Sequence, residues 1–245
     1  MNSSGILLCL RYCLPPNALS YCGPDDTVEL LHYRKEGKAD KGLVSLTTQF
    51  ATLYQYLMLI AHANNIPDPF HPKVVDAYWI GNALLEVVQP GLMYSHFIDT
   101  MKLPKLLRKK DATVLFDKLN MAFIPHHTYH VLNVVRRTGH IPIEQTVETM
   151  DACRIGWGKV VTTDKQMLTV TTQSLEIKEG KLVLGKPVQK KIANSLGLVP
   201  ELIYPKVGQW VSFHWHVACD ILTPLQAASL KRHTLAAIKV ANTTI

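Results

Sequence analysis

The apolar positions change their period along the chain. From about residue 26 to 152 they recur every three or four residues, the spacing of helices with one buried face. Asp25 or Asp26 is placed to cap a helix running to about Glu36, with Gly37 as its stop. A second helix is expected over residues 43–63, where Phe50, Leu53, Tyr54, Leu57, Ile60 and Ala61 form one stripe and Asn64-Asn65-Ile66-Pro67 ends it. Pro72 suits a first-turn position, and Val75, Tyr78, Trp79, Ala83 and Val87 carry a third helix that stops before Pro90. Short helical pieces over 94–101 and a helix over 111–121 follow. Pro125 and Gly139 bracket another, with Arg136 and Arg137 in its last turn, where the helix dipole favours cations. A short helix over 144–152 closes this part. Residues 1–25, punctuated by Pro15-Pro16-Asn17 and Cys22-Gly23-Pro24-Asp25, read as irregular.

After residue 153 the pattern turns to strands. The runs 154–163, 166–178 and 181–190 are rich in Val, Thr, Ile and Leu, and Asp164-Lys165 and Glu179-Gly180 separate them. Two tight turns between three such runs predict an antiparallel three-stranded meander. A sheet this small must pack on the helices to be stable. The segment 210–222 reads in two ways. As a strand, Val211, Phe213, Trp215 and Val217 face one side, and Ser212, His214 and His216 the other. As a helix, Trp215, Ala218, Cys219 and Leu222 form a stripe, and His214 and His216 point about 200° apart. The apolar pattern runs to Leu222 with no turn signal before Thr223, which favours the helix. Thr223-Pro224 then opens a helix reaching about Val240. No repeat or low-complexity linker divides the chain. The expectation is a single α+β domain over 1–245: mainly helical over 26–152, a small antiparallel β-meander over 154–190, and C-terminal helices over 210–241.

Composition supports a globular chain with a sizeable core: 47% of the 245 residues are hydrophobic and 18% charged. The longest apolar stretch, residues 50–63, is broken by Gln55 and His62 and is shorter than the roughly 20 residues a membrane span needs. The apolar run after Gly5 meets Arg11 too soon for a secretory signal, so a cytoplasmic protein is expected. Five cysteines, an odd count, argue against a disulfide framework. Cys9, Cys13 and Cys22 match no zinc-knuckle spacing and suit small buried residues. The net charge of +7 gathers in residues 102–110 and at Lys186, Lys190 and Lys191. No aromatic residue interleaves the basic run, which argues against nucleic acid and for a solvated helix end.

The chemistry-bearing signal is a histidine cluster, His126-His127-x-x-His130, directly after Pro125. On a helix His126 and His130 share a face, and His127 and His130 are neighbours. Imidazoles at such spacing suit one transition-metal ion. The helix N-terminus disfavours imidazolium there, and neutral imidazole is the metal-binding form. His214 is the expected fourth member, contributed from 210–222. Cys153 beside Arg154 is a candidate thiolate nucleophile or a buried structural residue. Gly156 and Gly158 around Trp157 suggest a bend in the first strand and make no phosphate loop. Asp68 suits a helix cap.

Several phrases together are more specific than any alone. They are Arg11-Tyr12 with Pro15-Pro16-Asn17, Tyr21-Cys22-Gly23-Pro24, Asp68-Pro69-Phe70, and Val75-Asp76-Ala77-Tyr78-Trp79-Ile80-Gly81-Asn82. Further along come Pro125-His126-His127, His130-Val131-Leu132-Asn133-Val134, Arg137-Thr138-Gly139, Cys153-Arg154-Ile155-Gly156-Trp157-Gly158, and Val211-Ser212 with His214-Trp215. Over nearly its whole length the chain resembles a prokaryotic domain family of unknown function associated with [NiFe]-hydrogenase gene clusters. The resemblance implies no established activity, and it carries His214 rather than His216.

The expected function is an accessory role in metalloenzyme assembly, such as that of a [NiFe]-hydrogenase. A nickel, iron or zinc ion would be held by His126, His127, His130 and His214, and the partner would be a metalloenzyme subunit or maturation protein. One alternative is a metal-dependent hydrolase or oxygenase using the same histidines with Glu148 or Asp151 as carboxylate partner. The other is a non-catalytic module gripping an acidic partner through residues 102–110.

Overall fold

The computed structural model describes residues 3–106, 109–121, 123–134, 144–194 and 205–244. The expected helix end at Arg136, Arg137 and Gly139 lies outside them; a helical turn also expected over 192–197 is strand at Ile192 and Ala193, and residues 195–197 lie outside the described residues. The helices are α1 (Ser3–Ala18), α2 (Thr27–Glu36), α3 (Lys41–Thr48), α4 (Ala51–Ala63), α5 (Pro72–Trp79), α6 (Pro90–Ser95), α7 (Leu103–Leu106), α8 (Lys109–Met121), α9 (His127–Tyr129), α10 (Val147–Cys153) and α11 (Pro224–Ala241). One-turn π-helical stretches continue α6 and α9, over His96–Thr100 and His130–Val134. No single helix among the described residues is long and apolar enough to cross a membrane.

The first correction is α1. The two prolines that suggested irregular chain sit inside its last turns, where they leave the Arg11 and Tyr12 carbonyls without their helical donors. Ile6, Cys9, Leu10, Tyr12, Cys13 and Leu14 are all buried, so tertiary packing outweighs the break signal. Gly5 allows α1 to cross close to the chain before α5, because a Cβ there would stand 1.8 Å from the Phe70 carbonyl oxygen. The helix expected over 43–63 is two helices, α3 and α4, meeting at 105°. The third helix stops at Trp79, short of Val87. Gly81 follows at φ +96°, where the His233 ring of α11 leaves no room for a side chain.

The α+β class stands, with more strand than expected. Gly156–Thr163 (β1), Met167–Thr172 (β2), Val188–Ala193 (β5), Val217–Leu222 (β7) and Trp210–His214 (β6) close a five-stranded barrel in the order β1-β2-β5-β7-β6. The expected meander over 154–190 is therefore part of a larger sheet. Its second run breaks at Gln173-Ser174 and its third at Gly185-Lys186-Pro187. The pieces between, Leu175–Lys178 (β3) and Lys181–Leu184 (β4), leave as a separate hairpin. That hairpin docks on the end of α11, where the Asn242 side chain accepts from the Leu182 N–H and donates to its carbonyl.

Residues 210–222, for which a helix was favoured, form a hairpin of β6 and β7. The Trp215-His216 turn has both residues at positive φ, 49° and 60°. A two-residue hairpin turn of this kind normally reads Asn-Gly, so the sequence carries no turn signal here. The barrel interior holds Val160, Leu168, Val170, Ile192, Val211, Phe213 and Ala218. Gly156 opposite Phe213 makes room for that ring, since a Cβ would lie 2.2 Å from it. The larger core lies among the helices and reaches the barrel at Trp157, Cys219 and Leu222.

Candidate metal centre

The site forms where α1, α9, α10 and the β6–β7 turn converge, and backbone carbonyls organise it. Pro16 has no N–H, so the Tyr12 carbonyl four residues back lacks its helical donor. That carbonyl is 2.7 Å from His214 Nδ1. A carbonyl only accepts, so His214 carries its proton on Nδ1 and its lone pair on Nε2. The last carbonyls of α10 are likewise open to outside donors. Ala152 O accepts from the Trp215 N–H at 2.8 Å, which pins the β6–β7 turn to α10. Cys153 O accepts from His127 Nε2 at 2.8 Å. The His127 lone pair is then on Nδ1, where the Tyr78 hydroxyl lies at 3.1 Å and donates. His127 occupies the first turn of α9 because His126 caps that turn, its Nδ1 accepting from the Thr128 N–H.

These constraints bring His127, Cys153 and His214 together, with one donor atom from each within 4.8 Å of the others. Such a group could hold a metal ion. Zinc-like bond lengths of about 2.0–2.3 Å set donors roughly 3.5 Å apart, so an ion would draw the three inward by about one ångström. The His127 and His214 ring centroids are 5.1 Å apart, and Trp79 packs on both, at 4.6 and 5.8 Å. Burial, then the neighbouring His214, holds His127 well below the ordinary imidazole range, in the neutral form a metal requires. A metal-binding histidine commonly donates its other N–H to a carbonyl, as both rings do here. The three residues lie on the wall of a cavity of about 80 Å³, which is also lined by Cys13, Cys22, Tyr78, Trp79 and Trp215.

A model of the family of unknown function DUF6390 matches residues 1–245. The chain belongs to this family. No curated protein and no solved structure matches it. The family has no known function, and what points to a metal is the donor set of this chain.

Of the four histidines expected as ligands, the fold brings His127 and His214 into one group and directs the other two elsewhere. His126 stacks on His233 of α11, with centroids 5.3 Å apart. Burial lowers His126 to about 3 and His233 to about 4. His130 lines the same cavity, with its Nδ1 3.1 Å from the Tyr56 hydroxyl, but it is not one of the three residues whose donor atoms come together. The π-helical winding from His130 onward departs from the regular helix on which the shared face was argued. His216 is exposed on the turn. Cys153 takes the third place. The sequence marks it as a candidate nucleophile that a distant histidine could assist, and does not join it to the expected metal ligands.

The carboxylates considered as partners lie elsewhere. Neither Glu148 nor Asp151 lines the cavity. Asp151 accepts from Arg154 at 2.7 Å, from Lys190 at 3.0 Å and from the Leu175 N–H at 2.9 Å. Burial alone would raise its pKa; Arg154, the Leu175 N–H and Lys190 outweigh that and hold it below the usual carboxylate range. This network ties α10 to β3 and β5 and fixes the residue next to Cys153. In the basic run, Lys102, Lys105 and Lys109 are exposed, as a solvated stretch would be.

Proposed function

We propose that the protein holds a transition-metal ion through His127, Cys153 and His214 and serves as an accessory of metalloenzyme assembly. The observation that carries this reading is the three-donor group itself, drawn from three separate elements onto one cavity wall. Supporting it are the neutral state of His127 and the carbonyl bonds that orient both rings. The assembly role draws on the resemblance to a family found beside [NiFe]-hydrogenase genes, with a metalloenzyme subunit or maturation protein as recipient of the ion. An enzyme using metal-activated water would want a carboxylate base at the ion. None lines this cavity among the described residues, so holding and handing on the ion is the better fit.

Elemental mass spectrometry of the purified full chain tests the reading. After loading with nickel(II), iron(II), zinc(II) and copper(I) in turn, the wild type should retain close to one ion per chain for at least one of them. Cys153→Ala and His214→Gln should each lose it while keeping the wild-type circular dichroism spectrum. Wild-type protein that retains none of the four ions, or folded variants that retain the ion undiminished, would refute the site.

A further inference from the structure

The geometry points to a monovalent ion, copper(I), as the occupant of the His127–Cys153–His214 group. This inference rests on the metal-site reading above and takes it one step further, from site to ion. Its basis is charge. Among the described residues lining the cavity there is no Asp, Glu, Lys or Arg. The walls include Phe50, Leu53, Tyr78, Trp79 and Trp215, so the surroundings of the donor set are largely apolar. Net charge in such a place is costly unless compensated within the site.

The donors themselves are two neutral imidazoles and one thiolate, a total of minus one. A monovalent ion brings the centre to zero. A divalent ion leaves one positive charge uncompensated, and a second anion would have to come from hydroxide or from another thiol of the cavity, Cys13 or Cys22. Ligand softness is compatible with this, since thiolate and imidazole suit copper(I) as well as zinc. Coordination number agrees as well. Copper(I) is satisfied by three donors, whereas zinc in a three-ligand site keeps a fourth position for water. In the binding step the Tyr78 hydroxyl gives up the His127 Nδ1 lone pair, the Cys153 S–H bond breaks, the copper–sulfur bond forms, one proton leaves to solvent, and no electron is transferred.

The test uses the full-length protein under anaerobic conditions. Copper(I) is offered in competition with a coloured copper(I) chelator and zinc(II) in competition with a coloured zinc chelator. Proton release is read in weakly buffered solution. The expected result is one copper(I) per chain, about one proton released, and copper(I) binding about a hundredfold tighter than zinc(II). Cys153→Ala and His214→Gln should each weaken copper(I) binding by about tenfold or more, and measuring both means that one misfolded variant leaves the other to decide. Zinc(II) bound as tightly as copper(I) would overturn the copper assignment alone and leave the metal site standing. Weaker zinc binding that releases two protons would support the charge argument, and its loss in Cys22→Ser would identify Cys22 as the second anion. Failure of copper(I) to bind would overturn the copper assignment, and the site falls with it only if zinc(II), nickel(II) and iron(II) are not retained either.

Discussion

Single residues set the protonation states inside this protein, and they do so mainly by burial. His127, His126, His96 and His233 are all pushed down by loss of water around the ring, and His96 reaches about 4 with a further push from His130. His96 is 6% exposed and packs at 5.6 Å from the Tyr56 ring. In the unfolded chain it takes up a proton near pH 6.5. The folded protein refuses that proton until about pH 4. Below pH 6.5 the unfolded state therefore binds more protons, so stability declines as pH falls through this window. A phenyl ring in the same place does not titrate. His96→Phe should flatten the fall in melting temperature between about pH 6.5 and 4 while leaving the neutral-pH value within a few degrees. His233 acts in the same direction and should keep part of the slope in the variant. A variant whose melting temperature falls as steeply as that of wild type would show that His96 contributes none of the acid sensitivity.

At the scale of elements, the candidate centre is assembled by helix ends. The Tyr12 carbonyl near the end of α1 is released by Pro16, and the Ala152 and Cys153 carbonyls end α10. Each takes up a donor from another element, and the three bonds together place His214, the β6–β7 turn and His127. Pro16→Ala returns a helical N–H to the Tyr12 carbonyl, which then competes with His214 Nδ1. Metal affinity, read by chelator competition, should fall by about tenfold, the usual scale for losing a residue that orients a ligand. The urea midpoint should stay close to wild type, because alanine keeps the Pro16 carbonyl that accepts from the Leu19 and Tyr21 N–H groups at this buried position. Unchanged affinity would mean that the Tyr12–His214 bond has no part in orienting the ring. This element also shows where sequence reading reaches its limit. Amphipathic periods and caps located α2, α5 and α11, because Gly37, Pro72 and the Thr223–Gln226 capping box act locally. The same local rules gave Pro15-Pro16 as a break, since the rings that bury α1, such as Trp79 stacked on Tyr12, come from distant chain. The Trp215-His216 turn was hidden for a related reason. Its left-handed residues are held by the Trp215 bond to Ala152 and by the Ala193 N–H donating to the His216 carbonyl, and no glycine or asparagine marks them. His127 and His214 were legible as metal-binding residue types. Their meeting with Cys153 depends on barrel closure, which no short motif encodes.

For the whole molecule, the position of the group between two cores decides what an ion would do to stability. Cys153 ends the helix that leads into β1, His214 ends a barrel strand, and His127 belongs to the helical core through Tyr78 and Trp79. An ion bound to all three would link the barrel to the helices. In the unfolded chain the donors are 26 and 61 residues apart in sequence, at positions 127, 153 and 214, and closing such loops carries an entropic cost. Binding should therefore favour the native state strongly. At a free ion concentration one hundred times the dissociation constant, the linkage amounts to about 2.7 kcal/mol. For a chain of this size that corresponds to a rise in melting temperature of roughly 5–10 °C. Calorimetry of metal-loaded and metal-free wild type should show the rise. Cys153→Ala should melt at the same temperature with and without the ion. An equal rise in that variant would place the ion somewhere other than this group. Bound ion without any rise in wild type would mean that it reaches the unfolded chain as readily as the folded one, contrary to a site built by the meeting of barrel and helices.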